Sequence, residues 1–328
     1  MKRAFQFVIL TVLAAEALVL GQGPDAMKVL ADVRAALGGD VKLDAVKSVA
    51  VEGRLTRSVG GQSLANDFEM SFELPDKFVK KEVVAVMGTS TITRTTGFNG
   101  DGLIEVIDTP PAMGGGMVIT RMAGSGPVGM KATPEQIATQ QQALLAMNKR
   151  EFARLSLGMF AKTPAAFPLE FSYGGEAEAP DGKAHIVDVK GADGFAARLF
   201  IDQKTRLPLM LSWMDKEPLR MITGSGTGMA AGSSPVVMAH GGVSTGQVTP
   251  EQAEKMRQEI EQRAKEAEAN RRTVEYRIFY SDYQTVAGGV QMPTRIQRMI
   301  DGKPVEELSL EKIKVNQKID PRKFEVTK

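Results

Sequence analysis

The chain ends in a run of strand-like segments, and the first of them reads VEYRIFYSDY over residues 274–283. Successive residues of a strand point to opposite faces, so Tyr276, Ile278 and Tyr280 share one face. Further strands are predicted over 290–300 and 304–315. Short strands that follow each other this closely are typical of an antiparallel meander.

Four earlier segments repeat this pattern, and short turns separate them. They predict strands over 167–173, 184–190, 195–202 and 207–214. In the last of these strands, alternation places three large apolar side chains on one face, namely Leu209, Leu211 and Trp213.

The first third of the chain holds a second set of strand-like segments. Phe68, Met70 and Phe72 alternate strictly with polar residues. Val49, Val51 and Leu55 mark an earlier strand in the same way. Three more strands are predicted over 77–86, 89–96 and 103–107, and a tight-turn signal at 98–102 precedes the last of them.

Three segments carry helix signals. Apolar residues at helical spacing predict a helix over 25–37, which Gly38 and Gly39 end. The sequence Thr-Pro-Glu-Gln at 133–136 predicts the capped start of an amphipathic helix that runs to about residue 160. The same four residues at 249–252 open a predicted helix over 250–272, whose i,i+4 acid–base pairs and narrow apolar seam indicate a largely solvated helix.

Two segments rich in Gly and Met interrupt the strand pattern, over 110–130 and 222–248. With the helix that follows each, they are predicted to form two insertions, at about 109–160 and 222–272. Met fills irregular apolar space and Gly gives a deformable backbone, so these segments suit either a flexible apolar lip or loops that pack on the sheet. The residues of such a lip are Met113, Met117, Met122, Met130, Met221 and Met229.

Residues 1–21 have the layout of a secretory signal peptide. Lys2 and Arg3 precede an apolar run that is too short to span a membrane, and small residues follow it. Cleavage is expected after Ala17 or after Gly21, with an uncleaved anchor as the alternative. Residues 22–328 are then expected to form one exported domain that carries the two insertions.

Residue counts exclude several kinds of chemistry. The chain has no Cys, which removes disulfides and thiolate chemistry, and its net charge of +2 provides no field for nucleic acid. The two histidines, His185 and His240, are distant in sequence and too few for a zinc site. Gly124–Gly129 matches a dinucleotide fingerprint but lacks the strand before it and the helix directly after it. Cu(I) binding by Met is disfavoured by irregular spacing. We expect no enzyme, cofactor or metal.

Several motifs together resemble those of the outer-membrane lipoprotein carrier and sorting superfamily, which includes periplasmic lipoprotein chaperones. The first is Tyr-Ser-Asp-Tyr at 280–283, followed by Gly-Val-Gln-Met-Pro at 289–293. Val-Asn-Gln-Lys-Ile-Asp-Pro then follows at 315–321, with Phe324 behind it. An earlier hairpin over 201–208, Ile-Asp-Gln-Lys-Thr-Arg-Leu-Pro, also fits, and the two insertions depart from the superfamily's pattern.

This resemblance implies an α+β fold: a curved antiparallel β-sheet, or half-open barrel, with helices on its concave side. It also implies a periplasmic, non-enzymatic carrier of lipid or lipoprotein acyl chains with only transient membrane contact. The candidate cavity residues are Phe68, Met70, Phe72, Leu209, Leu211, Trp213, Tyr276, Ile278 and Tyr280. A closed core would show the same alternation. The alternative function is an envelope sensor or interaction module in which helix 250–272 contacts a partner protein.

Overall fold

A computed structural model describes residues 25–59, 62–85, 91–108, 133–163, 167–179, 182–217, 255, 258, 262, 266 and 269–326. The helices are α1 (Ala26–Ala36), α2 (Asp40–Asp44) and α3 (Pro134–Phe160), with 3₁₀ turns at Ala192–Gly194 and Pro321–Phe324. Within the predicted helix 250–272, the described residues 255, 258, 262, 266 and 269 are all helical. None of the described helices is long and apolar enough to cross a membrane.

The described strands form one antiparallel sheet, in the order β5-β4-β3-β2-β1-β12-β11-β10-β9-β8-β7-β6. The predicted antiparallel sheet is thereby confirmed. Its strands are β1 (Ser48–Val59), β2 (Gln62–Glu73), β3 (Lys77–Ala85), β4 (Thr91–Asn99), β5 (Gly102–Asp108), β6 (Leu169–Ala179), β7 (Gly182–Gly191), β8 (Ala196–Asp202), β9 (Pro208–Lys216), β10 (Thr273–Val286), β11 (Val290–Ile300) and β12 (Lys303–Val315).

The two predicted insertions hold different positions in this topology. Strands β5 and β6 form the two edges of the sheet, so residues 109–168, which include α3, connect one edge to the other. Residues 217–272 instead leave and return between neighbouring strands, because Lys216 of β9 pairs with Thr273 of β10. The sheet order therefore requires the first segment as a crossover, whereas the second is an excursion from a hairpin.

Contacts of α3 show that the sheet curves. The ring of Phe152 lies 5.6 Å from that of Phe98 in β4, and the guanidinium of Arg154 lies 4.0 Å from the ring of Trp213 in β9. Strands β4 and β9 are seven places apart in the sheet, which is about 34 Å on a flat sheet. Two residues of a single helical turn reach both strands, so the sheet bends around the second half of α3.

The main core lies on the face of the sheet that packs against α1 and α3, which we call the covered face. Leu30 and Val33 of α1 and Phe152 and Leu155 of α3 join the strand residues there. The opposite face carries two small apolar clusters, one of which packs Val79 and Ile104 against Phe324 of the C-terminal 3₁₀ turn. Most of the buried apolar surface is thus between the sheet and its helices.

Local signals explain the ends of α3. The hydroxyl of Thr133 accepts a hydrogen bond from the amide of Gln136 at 3.2 Å, and the side chain of Gln136 accepts one from the amide of Thr133 at 3.0 Å. This reciprocal pair is the capping box that the sequence predicts. The helix ends at Ala161, which adopts a left-handed conformation with φ of 49°.

Candidate ligand-binding face

Most of the predicted cavity residues do meet on the covered face. Seven of them are buried in the main core, and Tyr276 packs against it. The strand register brings them together, because Tyr276 pairs with Trp213 and Ile278 pairs with Leu211. The seven buried residues are Phe68, Met70, Phe72, Leu211, Trp213, Ile278 and Tyr280.

Leu209 departs from the predicted alternation. Phe200 of β8 pairs with Met210, but the next residue, Ile201, pairs with Pro208, so Leu209 is the extra residue of a β-bulge. Its side chain is 39% exposed, whereas Leu211 is fully buried. The physical reason is the bulge, which interrupts the period of two that placed Leu209 with Leu211 and Trp213.

Four phenylalanines form an aromatic cluster under α3. Phe152 lies 5.5 Å from Phe78, 5.6 Å from Phe72 and 5.6 Å from Phe98 between ring centroids. The cluster borders a cleft of about 170 Å³, to which Phe98, Phe152 and Phe167 contribute apolar walls. Lys149 and Asp101, which form an ion pair at 2.7 Å, also line the cleft. The wall of the cleft is therefore partly apolar and partly polar.

Two buried tyrosines hold α3 on the sheet. The hydroxyl of Tyr280 donates to the carbonyl of Arg154 at 2.8 Å. The hydroxyl of Tyr283 donates to the carbonyl of Pro208 at 2.9 Å and also lies 3.2 Å from the carbonyl oxygen of Gly158. A Cβ atom at Gly158 would lie 2.1 Å from the ring of Tyr280, so glycine allows this close approach. Burial raises the pKa of both tyrosines, and they remain protonated donors.

Trp213 is the single tryptophan of the chain, and on the covered face it contacts both an aromatic ring and a cation. Its ring stacks on Tyr276 at 5.2 Å and 15°, and it also lies against the guanidinium of Arg154 at 4.0 Å. Such a cation–π contact is favourable, and more so where water is excluded. Burial lowers the pKa of Arg154 to about 10, so the group keeps its charge at neutral pH. Burial, reinforced by the charge of Asp215, raises the pKa of Tyr276 to about 12.

A second part of the covered face carries buried charges, which we call the ionic network: Lys80, Glu82, Arg57 and Glu306. Arg57 donates to Glu82 at 2.6 Å and to Glu306 at 3.1 Å. Lys80 lies 3.4 Å from Glu82 and 3.8 Å from Glu306. Their side chains are at most 14% exposed. The network therefore joins three strands, β1, β3 and β12, through charge-assisted contacts.

The charges of the ionic network compensate for its burial. Burial opposes ionisation of Glu306, but the positive charges of Lys80, Arg298 and Arg57 outweigh it and lower the pKa of Glu306 to about 2. Burial also opposes ionisation of Glu82, whose pKa is nevertheless lowered by Lys80 and Arg57. Both carboxylates are consequently charged at neutral pH.

Sequence reasoning missed this network. Its signal is visible in the strand period, because Arg57 lies two residues after Leu55 and Glu306 lies two residues before Leu308. Residues two positions apart in a strand face the same side of the sheet, so Arg57 and Glu306 point to the side of Leu55 and Leu308. Charges there indicate either the end of the core or buried ion pairs, and the structure shows the latter.

The other residues that the sequence singled out lie either outside the described part of the chain or elsewhere in the sheet. The six Met residues of the proposed lip (113, 117, 122, 130, 221 and 229), His240 and the Gly124–Gly129 motif lie outside the described residues. His185 lies in β7, where its Nδ1 is 3.2 Å from the hydroxyl of Tyr173. Within the described part of the chain, no group of three or more His, Cys, Asp or Glu side chains is arranged to hold a metal ion.

Comparisons with known proteins gave similarities of fold only. No family model and no curated protein matches the chain. Among solved structures, it is similar to a LolA superfamily protein from Nitrosomonas europaea, with 9% identity over 92% of this chain and 98% of that one, at a TM-score of 0.41. It is also similar to a DUF1329 family protein from Desulfovibrio piger, with 10% identity over 92% of this chain and 98% of that one, at a TM-score of 0.38. A third similar structure is a domain from Vibrio parahaemolyticus that is described as an outer membrane lipoprotein-sorting protein. It has 6% identity over 91% of this chain and 95% of that one, at a TM-score of 0.42.

These structures include the superfamily that the sequence motifs resemble. Identities of 10% or less and TM-scores below 0.5 carry no functional argument for this chain. A shared fold does not by itself define a function, which depends on the residues of the site.

Proposed function

We propose that the chain is a periplasmic binding or carrier protein for lipid or lipoprotein acyl chains and that it catalyses no reaction. The observation that carries the proposal is the cleft walled by Phe98, Phe152 and Phe167, which opens from the surface onto the aromatic cluster. Burial of each methylene group contributes about 0.8 kcal/mol, so five methylenes in this cleft contribute about 4 kcal/mol.

We infer further that the fold is a half-open barrel with its helices on the concave side, as the contacts of α3 with β4 and β9 support. A chain longer than the cleft would lie between α3 and the sheet. It would pass the proposed ligand-facing residues, which are Phe68, Met70, Phe72, Leu211, Trp213, Tyr276, Ile278 and Tyr280. Because the second half of α3 already packs there, a long ligand requires this helix to shift away from Tyr280.

Native mass spectrometry of the exported protein tests this proposal. We expect acyl species to copurify, and delipidated protein to take up a fluorescent fatty acid. Phe167→Asp places a charge in the cleft and should weaken uptake at least tenfold. Val41→Asp places the same charge on an exposed apolar residue of α2 and should leave uptake unchanged. A protein that carries no acyl species and takes up no fatty acid would show the proposal to be wrong.

One observation favours a second function, that of an envelope sensor or protein-interaction module. The described helical residues of the predicted helix 250–272, which are 255, 258, 262, 266 and 269, are all exposed. Because the chain has no Cys, Gln258→Cys provides a single site for a crosslinker. If this function holds, the crosslinker captures one specific envelope protein, with equal yield from delipidated and lipid-loaded samples. The absence of any specific product would argue against it.

A further inference from the structure

Three arginines act on one another on the covered face, and one of them, Arg154, contacts Trp213. Arg150 and Arg154 lie one turn apart on α3, so their side chains leave the helix on the same side. Arg298 reaches α3 from β11 and pairs with Glu151. The positive charges of Arg298 and Arg150 both oppose protonation of Arg154 and contribute to its lowered pKa.

Negative charge on the described residues does not balance this group. Two carboxylates act on Arg154, those of Glu151 and Asp215. Glu151 is already paired with Arg298, and Asp215 is an exposed residue that forms no ion pair with Arg154. Glu306 also acts on Arg298, but it is shared with Arg57 and Lys80 of the ionic network. Counted together with that network, five cations face four carboxylates among the described residues, so this partly desolvated region carries excess positive charge unless a further anion joins it.

Unused hydrogen-bond donors mark the same place. The Nε atoms of Arg150, Arg154 and Arg298 are buried, and none has a hydrogen-bond partner among the described residues. A buried donor without a partner costs free energy, so native proteins keep few of them. Three in one cluster are donors available to a bound group.

The surroundings of Arg154 combine charge with apolar surface. Its guanidinium carbon lies 4.0 Å from the ring centroid of Trp213 and 5.6 Å from that of Phe195. A stacked guanidinium keeps its N–H groups free in the ring plane, where they match a carboxylate or phosphate. Next to it lies the apolar covered face. The site therefore suits a ligand with an acidic group at one end and a hydrocarbon chain at the other.

We propose that Arg154, assisted by Arg150, binds the acidic headgroup of an acyl ligand whose chain lies along the covered face. The acidic group is an oxyanion, either a carboxylate or a phosphate. This inference rests on the proposed acyl-binding function and adds the chemical class of the headgroup. It distinguishes anionic amphiphiles from uncharged ones as ligands.

Calorimetric titration of the delipidated protein tests the inference with matched ligands. Decanoate and 1-decanol have the same chain length, and only decanoate carries a charge. We expect decanoate to bind about tenfold more tightly than decanol, because a charge-assisted hydrogen bond adds to the same chain contacts. Inorganic phosphate at the same concentrations is expected to bind at least tenfold more weakly than decanoate, because it lacks the chain.

Two variants assign the preference to a residue. Arg154→Gln should reduce the decanoate preference to less than twofold while decanol binding is retained. Arg198→Gln removes an exposed arginine of β8, which pairs with Asp188, and should keep the full preference. Thermal unfolding checks that both variants fold. If Arg154→Gln does not fold, the comparison of decanoate with decanol on the wild-type protein decides whether the headgroup assignment holds.

The outcomes separate the two proposals. Equal binding of decanoate and decanol would overturn the headgroup assignment and leave the acyl-binding function in place. Binding of neither ligand would overturn both. If phosphate alone binds as tightly as decanoate, the site is for a free oxyanion and the assignment to an amphiphile is wrong.

Discussion

The apolar and the ionic parts of the covered face meet within single strands, and they are stabilised in different ways. In β1, Val49, Val51 and Leu55 are buried among apolar neighbours, and Arg57, two residues further, is buried among charges. The apolar part gains stability from area removed from water, which is non-directional. The ionic network depends on complete pairing, because each unpaired buried charge is costly.

The two parts therefore differ in the changes that they tolerate. An apolar ligand can replace apolar side-chain contacts with similar contacts, and this is why we propose the apolar part as the site for an acyl chain. The ionic network offers no such exchange, because Arg57 and Glu306 are already satisfied by each other. Arg154 belongs to neither part: it is positively charged, lies on apolar rings and forms no ion pair among the described residues.

The largest effect is expected from removing the centre of the apolar part. Phe152→Ala deletes the ring that contacts Phe72, Phe78 and Phe98 and should lower the free energy of unfolding by about 4 kcal/mol. Ile137→Ala changes a partly exposed residue of the same helix and should cost less than about 0.5 kcal/mol. Urea denaturation measures both. Equal losses would show that α3 does not cover the sheet as described.

A somewhat smaller effect is expected from breaking the ionic network. Glu306→Gln leaves Arg57 and Lys80 without one carboxylate and should cost about 3 kcal/mol. Glu52→Gln removes an exposed carboxylate, which pairs with Lys312 and Lys314, and should cost less than about 0.5 kcal/mol. A loss below about 1 kcal/mol for Glu306→Gln would contradict the contrast between the two parts.

Acid should weaken the ionic network and spare the apolar part. The pKa of Glu306 is about 2 in the folded chain, against an ordinary value of 4.5, so its contribution is present above about pH 4.5 and is lost as the pH falls through 2. Between pH 5 and pH 2.5 the free energy of unfolding should fall by about 2 kcal/mol from this group alone. Glu306→Gln should flatten that part of the pH profile. An unchanged slope in the variant would assign the acid sensitivity to other groups.

The smallest effect concerns the boundary of the covered face. Leu209→Ala should cost less than about 0.5 kcal/mol, because the bulge leaves this side chain exposed. Leu211→Ala, two residues away, should cost about 3 kcal/mol, because that side chain is fully buried. The same denaturation experiment compares them. Similar losses in the free energy of unfolding would place both residues on the covered face and contradict the β-bulge at Leu209.

Local patterns predicted much of this fold. The strand predicted over 290–300 is β11, and the helix predicted from Thr133 to about residue 160 is α3. Turns, caps and the period of two depend on neighbouring residues, so the sequence alone carries them. The short helix α2 carried too weak a periodic signal to be predicted.

The remaining features depend on contacts between residues distant in the chain. Nothing local indicates that Gly158 must pass close to Tyr280, or that Arg154 lies on Trp213. The bulge at Leu209 and the pairing of Arg57 with Glu306 likewise arise from the register of neighbouring strands. For the candidate site, eight of the nine predicted cavity residues lie on the covered face, but the sequence predicted neither the ionic network nor the arginine cluster.

The central claim is that an acyl chain binds against the covered face, and Trp213, the single tryptophan, reports on it directly. Delipidated protein is titrated with stearate or with 9,10-dibromostearate, whose bromine atoms quench tryptophan fluorescence on contact. We predict that both ligands bind equally, as measured by calorimetry, and that only the brominated chain removes more than half of the Trp213 emission. Binding of the brominated chain without quenching would place the ligand elsewhere and contradict the claim.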